Sequence, residues 1–73
     1  MKENLLAIIN DIKENSGSDK VDQISEGTRL RDDLGFDSFQ LAELTVHIEE
    51  EYGIDIFEDG IVNTIGEIIN KLS

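Results

Sequence analysis

The residues best placed to do chemistry are Ser38, with Asp37 directly before it, and His47 further along the same stretch. A serine turns over as a nucleophile only with a base within hydrogen-bond reach. His47 is the sole histidine and lies nine residues beyond Ser38. If the stretch is one helix, nine steps of about 100° carry His47 to the opposite side. That geometry excludes a local Ser-His pair and predicts His47 as a solvated surface residue. Acid–base work by carboxylates is the next option. Asp32, Asp33 and Asp37 cluster before the helix, and Glu49-Glu50-Glu51 run near its end. Such groupings arise by chance in so acidic a chain, and a bundle of this size offers little room for the pocket a hydrolase needs. Calcium is a third option. Asp11 to Asp22 has the length of an EF-hand loop, but Lys13 takes a ligand position, Ser16 stands at the turn glycine and Asp22 replaces the bidentate Glu, so the match fails.

Composition narrows the partners. The chain has 73 residues, 17 acidic and 6 basic, for a formal net charge of −11. Nucleic acid binding needs clustered Lys and Arg and is not expected. The same field favours docking on basic surfaces, although acid can also serve only to keep a small protein soluble. There is no cysteine, so neither disulfides nor a cysteine-ligated metal can support the fold. No apolar run approaches membrane-spanning length, so no membrane insertion is expected. The N-terminal MKENLLAIINDIKEN has acids within its apolar pattern and reads as helix rather than secretory leader, which makes a cytoplasmic or organelle-matrix location the default; a monomer is expected.

The elements that must position Ser38 follow from apolar spacing. Leu5, Ile8, Ile9 and Ile12 share one helical face, ending at the stop signal Asn15-Ser16-Gly17. Residues 16–37 lack sustained periodicity. Their anchors Val21, Ile24, Leu30, Leu34 and Phe36 suggest a long functional loop pinned to a core. Ser38 to Tyr52 reads as the strongest helix, with Leu41, Leu44, Thr45, Ile48 and Tyr52 as its core stripe, Ser38 as N-cap and Gly53 as the terminating glycine. Ile54 to Val62 reads as a linker with one short helical turn. Thr64-Ile65-Gly66-Glu67 has capping-box spacing before a last helix with Ile65, Ile68, Ile69 and Leu72 on one face. No alternating run argues for a strand. The expected fold is all-α, a small four-helix bundle with three long helices and one short, forming a single domain over residues 1–73.

The central helix carries a second apolar stripe. Phe39, Ala42 and Val46 lie roughly opposite the core stripe, flanked by Glu43 and Glu50. An apolar strip rimmed by acid resembles a docking surface; the alternative is a central helix packed on two sides.

Leu34-Gly35-Phe36-Asp37-Ser38-Phe39, followed by Leu44, Ile48, Glu49-Glu50-Glu51-Tyr52 and Ile54, resembles the acyl carrier protein family over essentially the whole chain. The shared signature is L-G-x-D-S and a hydrophobic residue, with the serine opening a helix that ends in an acidic run. The resemblance implies that a phosphopantetheinyl transferase moves 4'-phosphopantetheine from coenzyme A, with Mg²⁺, onto the Ser38 hydroxyl. The arm's thiol then bears acyl groups as thioesters, and the carrier is no enzyme itself. Asp37 matches the family's acid beside the serine. Phe39, Ala42, Glu43, Val46 and Glu50 match its recognition helix, on which acyl-transferring and chain-processing enzymes with basic surfaces dock. Growing chains in such carriers tuck between the helices, a pocket that Leu44, Ile48, Ile61 and Ile68 would line here. Phe39 stands where leucine is usual, Gln40 where fatty-acid carriers often have an acid, and the linker after Tyr52 is short and lacks proline. These departures leave fatty-acid and specialised polyketide or lipid pathways open. A peptidyl or aminoacyl carrier is the alternative, and an unmodified acidic interaction bundle is the reading of a different class.

Overall fold

The computed structural model describes residues 2–58 and 60–72. Three helices form, α1 (Lys2–Asn15), α2 (Ser38–Tyr52) and α3 (Ile65–Leu72). Among the described residues there is no strand, only an isolated antiparallel bridge between Arg29 and Thr64. The all-α expectation therefore holds, and among the described residues three helices are present of the four expected. Residues 56–58 are a turn. The Asp55 carboxylate accepts from the Phe57 N–H at 2.9 Å, an Asx-type turn that diverts the backbone from a helical ladder. Asp59, within the linker where the fourth helix was expected, lies outside the described residues. The last helix spans 8 residues, over the stretch its apolar spacing marks.

The helical faces match the spacing. Leu5, Ile9 and Ile12 of α1, Leu41, Leu44 and Ile48 of α2, and Ile65 and Ile68 of α3 are buried in one cluster. The loop between α1 and α2 adds Leu30, Leu34 and Phe36, and the linker adds Ile56 and Val62. Val21, Ile24 and Tyr52 pack against this cluster at partial exposure. The core thus draws as much from irregular segments as from a helix, and those segments need polar anchors for their backbone.

Three sets of anchors supply them. Gly17, at φ 79°, ends α1, and the Ser18 N–H donates to Lys13 O at 2.8 Å. The Asn10 amide then grips Val21 in both directions, donating to its carbonyl at 3.0 Å and accepting its N–H at 2.8 Å. Lys13 Nζ donates to Leu34 O at 2.9 Å and lies 5.9 Å from the Phe36 ring centroid, a cation–π contact. On the far side the loop pairs with the entry to α3. The Leu30 N–H donates to Asn63 O at 2.9 Å, the Ile65 N–H to Thr28 O at 3.0 Å, and the Gly66 N–H to Glu26 O at 2.8 Å. At the start of α3 the Glu67 N–H donates to Thr64 Oγ1 and the Glu67 carboxylate accepts from the Asn63 N–H, both at 3.2 Å. Half of the capping box expected at Thr64 is present, since the Glu67 carboxylate accepts from the Asn63 N–H and not from that of Thr64.

Gly66 gives a test of this docking. In a free helix, Gly→Ala stabilises by about 0.5–1 kcal/mol. Here a Cβ would lie 2.9 Å from the Glu26 carbonyl oxygen. The loop must then retreat from α3, so Gly66→Ala is expected to destabilise by about 1–3 kcal/mol, the usual range for overpacking. Urea unfolding followed by circular dichroism checks the sign; a stabilised variant would mean that the loop does not hold this close approach.

Candidate functional site

The path of the loop decides where Ser38 sits. Leu30, Leu34 and Phe36 point into the core, at 1%, 4% and 3% exposure. Between them the chain turns, with N–H groups of Asp33 and Leu34 donating to Arg29 O and that of Gly35 to Arg31 O. Gly35 takes φ 72°, a left-handed conformation that costs other residues strain. The Phe36 N–H then closes on Leu30 O at 3.0 Å. With Phe36 buried, the next residues emerge at the surface and α2 begins.

Asp37, not Ser38, is the N-cap. Its backbone is extended, at φ −92° and ψ −177°, and its carboxylate accepts from the Gln40 N–H at 2.9 Å. The Gln40 side-chain carbonyl returns the bond, accepting from the Asp37 N–H at 3.0 Å, which completes a capping box. The expectation that Ser38 caps the helix is therefore corrected by one residue. The carboxylate takes the cap, leaving the serine as the first helical residue with its hydroxyl free of that duty. Gln40 does more: its Nε2 donates to Ser16 Oγ at 3.0 Å, tying the start of α2 to the end of α1.

Ser38 is exposed. Its Oγ lies 3.5 Å from the Arg31 guanidinium, at the outer limit of hydrogen bonding. The acids around it are engaged elsewhere. Asp33 accepts from the Arg29 N–H at 2.7 Å and Asp32 pairs with Arg29 at 3.7 Å, while Asp37 caps α2. His47 makes no contact with Ser38 and is half-buried rather than fully solvated, in the groove described next.

The second stripe of α2 is left uncovered by the chain. Phe39 and Val46 are 72% and 56% exposed, and with Ala42, Glu43 and His47 they line an open, mostly apolar groove. Glu50 is exposed beside it and borders a polar groove with Asp11 and Glu51 between α1 and α2. The alternative of a helix packed on two sides does not hold for these residues. The expected acyl-pocket set divides. Leu44, Ile48 and Ile68 have no exposed surface, whereas Ile61 is 80% exposed and stands outside the core. Ile61 belongs to an irregular linker whose inward position is taken by its neighbour Val62, at 2% exposure. Sequence reasoning missed Arg31 and Ser16; the available signal was the cation pair Arg29 and Arg31 just before the acids that lead to Ser38. Among the described residues no cluster of three or more His, Asp or Glu is arranged to hold a metal ion, and no helix is long and apolar enough to cross a membrane.

The cap assignment can be separated by mutation. Asp37→Ala is expected to cost about 0.5–2 kcal/mol, with Asp37→Asn retaining most of the stability. Ser38→Ala should stay within about 0.5 kcal/mol of the parent, as for other surface changes. Chemical denaturation of the three variants checks the order; a larger loss at Ser38 than at Asp37 would return the cap to the serine.

The family model for a phosphopantetheine attachment site matches residues 6–72. The residues at the start of α2 fit such a group. They present an exposed hydroxyl, a guanidinium beside it, and a helix's first turn, whose N–H groups other than that of Gln40 are left by the Asp37 cap to favour an anion. The chain accordingly belongs to the phosphopantetheine attachment family, whose members are carriers bearing a covalent 4'-phosphopantetheine.

Proposed function

We propose that Ser38 is the attachment point and that the chain is an acyl carrier protein, bearing acyl groups on the arm's thiol for fatty-acid or specialised polyketide or lipid synthesis. The observation that carries this reading is the exposed Ser38 hydroxyl on the first turn of α2, capped by its neighbour and without a base. Turnover by the serine itself would need a proton acceptor there. The chain's contribution is presentation. Asp37 and Gln40 fix the first turn, so a transferase meets the hydroxyl in one orientation, and the carrier needs no catalytic group of its own. The phosphopantetheine, once attached, supplies the thiol and the reach.

Partner enzymes are read as docking on the uncovered groove of α2. Phe39, Ala42 and Val46 offer apolar contact, and Glu43 and Glu50 offer charge to a basic rim. α2 contains no Lys or Arg. Such an interface is steered by charge and weakened by salt, which suits brief visits to successive enzymes. Acyl rather than aminoacyl cargo is favoured by the acid along α2, at Glu43 and Glu49-Glu50-Glu51. A chain tucked between the helices would have to part Leu44, Ile48 and Ile68, which are closed to solvent in this conformation.

Incubation with coenzyme A, Mg²⁺ and a promiscuous phosphopantetheinyl transferase is expected to add one phosphopantetheine by intact mass, and none to Ser38→Ala. No mass increase with several transferases would sink the carrier reading in favour of an unmodified interaction bundle. Charging the holo form with malonyl and with aminoacyl groups, then offering each to cognate enzymes, separates acyl from aminoacyl carriage. For docking, Glu43→Lys combined with Glu50→Lys should weaken partner binding at least tenfold, about 1.4 kcal/mol, with helical content by circular dichroism unchanged. Undiminished binding would remove α2 as the interface.

A further inference from the structure

The basic residues are six, and three of them are committed to named partners. Lys20 pairs with Glu14 at 2.8 Å, Arg29 with Asp32 at 3.7 Å, and Lys13 is committed to Leu34 O and the Phe36 ring. Arg31 is different. It makes no ion pair among the described residues although Asp32 and Asp33 follow it directly, and its guanidinium points at Ser38 Oγ from 3.5 Å. Beyond it the sequence contains no Lys or Arg until Lys71. A strongly acidic chain has thus kept one unpaired cation beside one hydroxyl. The neutral hydroxyl gains little from it, since a contact at that distance is weak. An anion attached to the same oxygen would gain more.

We propose that Arg31 is the counter-ion of the arm's phosphodiester, a positioning residue that holds the phosphate against the first turn of α2. The proposal rests on the reading of Ser38 as the attachment point and adds a binding role for a side chain outside the Asp37-Ser38 motif. The free oxygens of a phosphate esterified to Ser38 lie just beyond Oγ, within reach of a guanidinium already beside it. Arg donates in a planar fork that suits two phosphate oxygens, where Lys offers a point charge. The carboxylates that would otherwise capture Arg31 are occupied by Arg29 and by the cap of α2. The pair is exposed, so it is sensitive to salt: the screening length falls from about 10 Å at 0.1 M to about 3 Å at 1 M. Arg31 thereby restricts where the arm leaves the surface and keeps its anionic root from the acids of the loop.

The test uses the full chain in its apo and holo forms, with Arg31→Gln, Arg31→Lys and Ser38→Ala. Intact mass first establishes loading, with the transferase in excess. In the holo protein the ³¹P resonance is expected to differ between the parent and Arg31→Gln at low salt. The difference should be largely recovered by Arg31→Lys and should collapse toward zero near 1 M salt. The Arg31 Nε–Hε resonance of the parent should move between apo and holo. Identical ³¹P positions in parent and Arg31→Gln, with the Nε–Hε signal unmoved on loading, would overturn the role of Arg31 while leaving the attachment reading intact. A slower loading rate in Arg31→Gln with no change in either resonance also overturns it, since Arg31 would then serve the transferase and not the phosphate. A parent that takes up no phosphopantetheine, or a Ser38→Ala that does, overturns the attachment reading itself and this proposal with it.

Discussion

The burial of Leu30, Leu34 and Phe36 is the constraint on which the rest of this structure depends. Three helices of this length, one of them 8 residues, do not enclose a core alone. The α1–α2 loop closes it, and fully burying an aliphatic or aromatic side chain stabilises by about 1.5–3 kcal/mol. Ordering a long irregular segment costs conformational entropy at every residue, so the three buried side chains offset only part of it. The polar anchors add to what burial supplies. Asn10 with Val21, Lys13 with Leu34, and Glu26 and Thr28 with the start of α3 each satisfy backbone groups that the loop leaves outside regular structure.

The same constraint produces the site. With Phe36 held inside and Gly35 turning the chain, Asp37 emerges at the surface in extended conformation, the geometry an N-cap requires. Ser38 is then forced onto the first turn of α2 with its side chain outward. The exposure of the hydroxyl is therefore a product of core packing two residues earlier. A loop that slipped by one residue would bury a different side chain and re-aim the serine.

Much of this was legible from residue spacing. The core faces of the helices follow from Leu and Ile at helical intervals, the end of α2 from Gly53, and the start of α3 from Thr64 and Glu67. The outer stripe of α2 was visible as a pattern, but whether anything covered it depended on where α1 and α3 lie, which no local signal states. The cap was misplaced because Asp and Ser are both good caps and stand side by side; backbone angles decide between them, and those are set by Phe36. The helical turn expected in the linker extends, among the described residues, no further than the turn at 56–58, where the Glu58 N–H donates to Asp55 O at 3.2 Å. The inward place of Ile61 rests on the family resemblance alone, and a linker has no period from which to infer direction. The anchors Asn10–Val21 and Lys13–Leu34 join positions 11 and 21 residues apart. Only the assembled fold brings such pairs together.

Charge is divided along α2 in a way that the capping geometry explains. The first turn has no acidic residue, while Glu43 and Glu49-Glu50-Glu51 follow further on. The first turn is also where the helix dipole is positive and where a phosphate on Ser38 would sit. An acid at position 40 could accept from the Asp37 N–H as Gln40 does, but it would set a like charge one turn from that phosphate. It also could not donate to Ser16, so the tie between the ends of α1 and α2 would be lost. The neutral amide therefore meets three demands at once. It closes the capping box, it joins two helices, and it adds no second negative charge beside Asp37 at the root of the arm. In this chain the neutral amide at Gln40, a departure from the acid common in fatty-acid carriers, is the residue that reconciles an acidic docking helix with an anionic arm at its start.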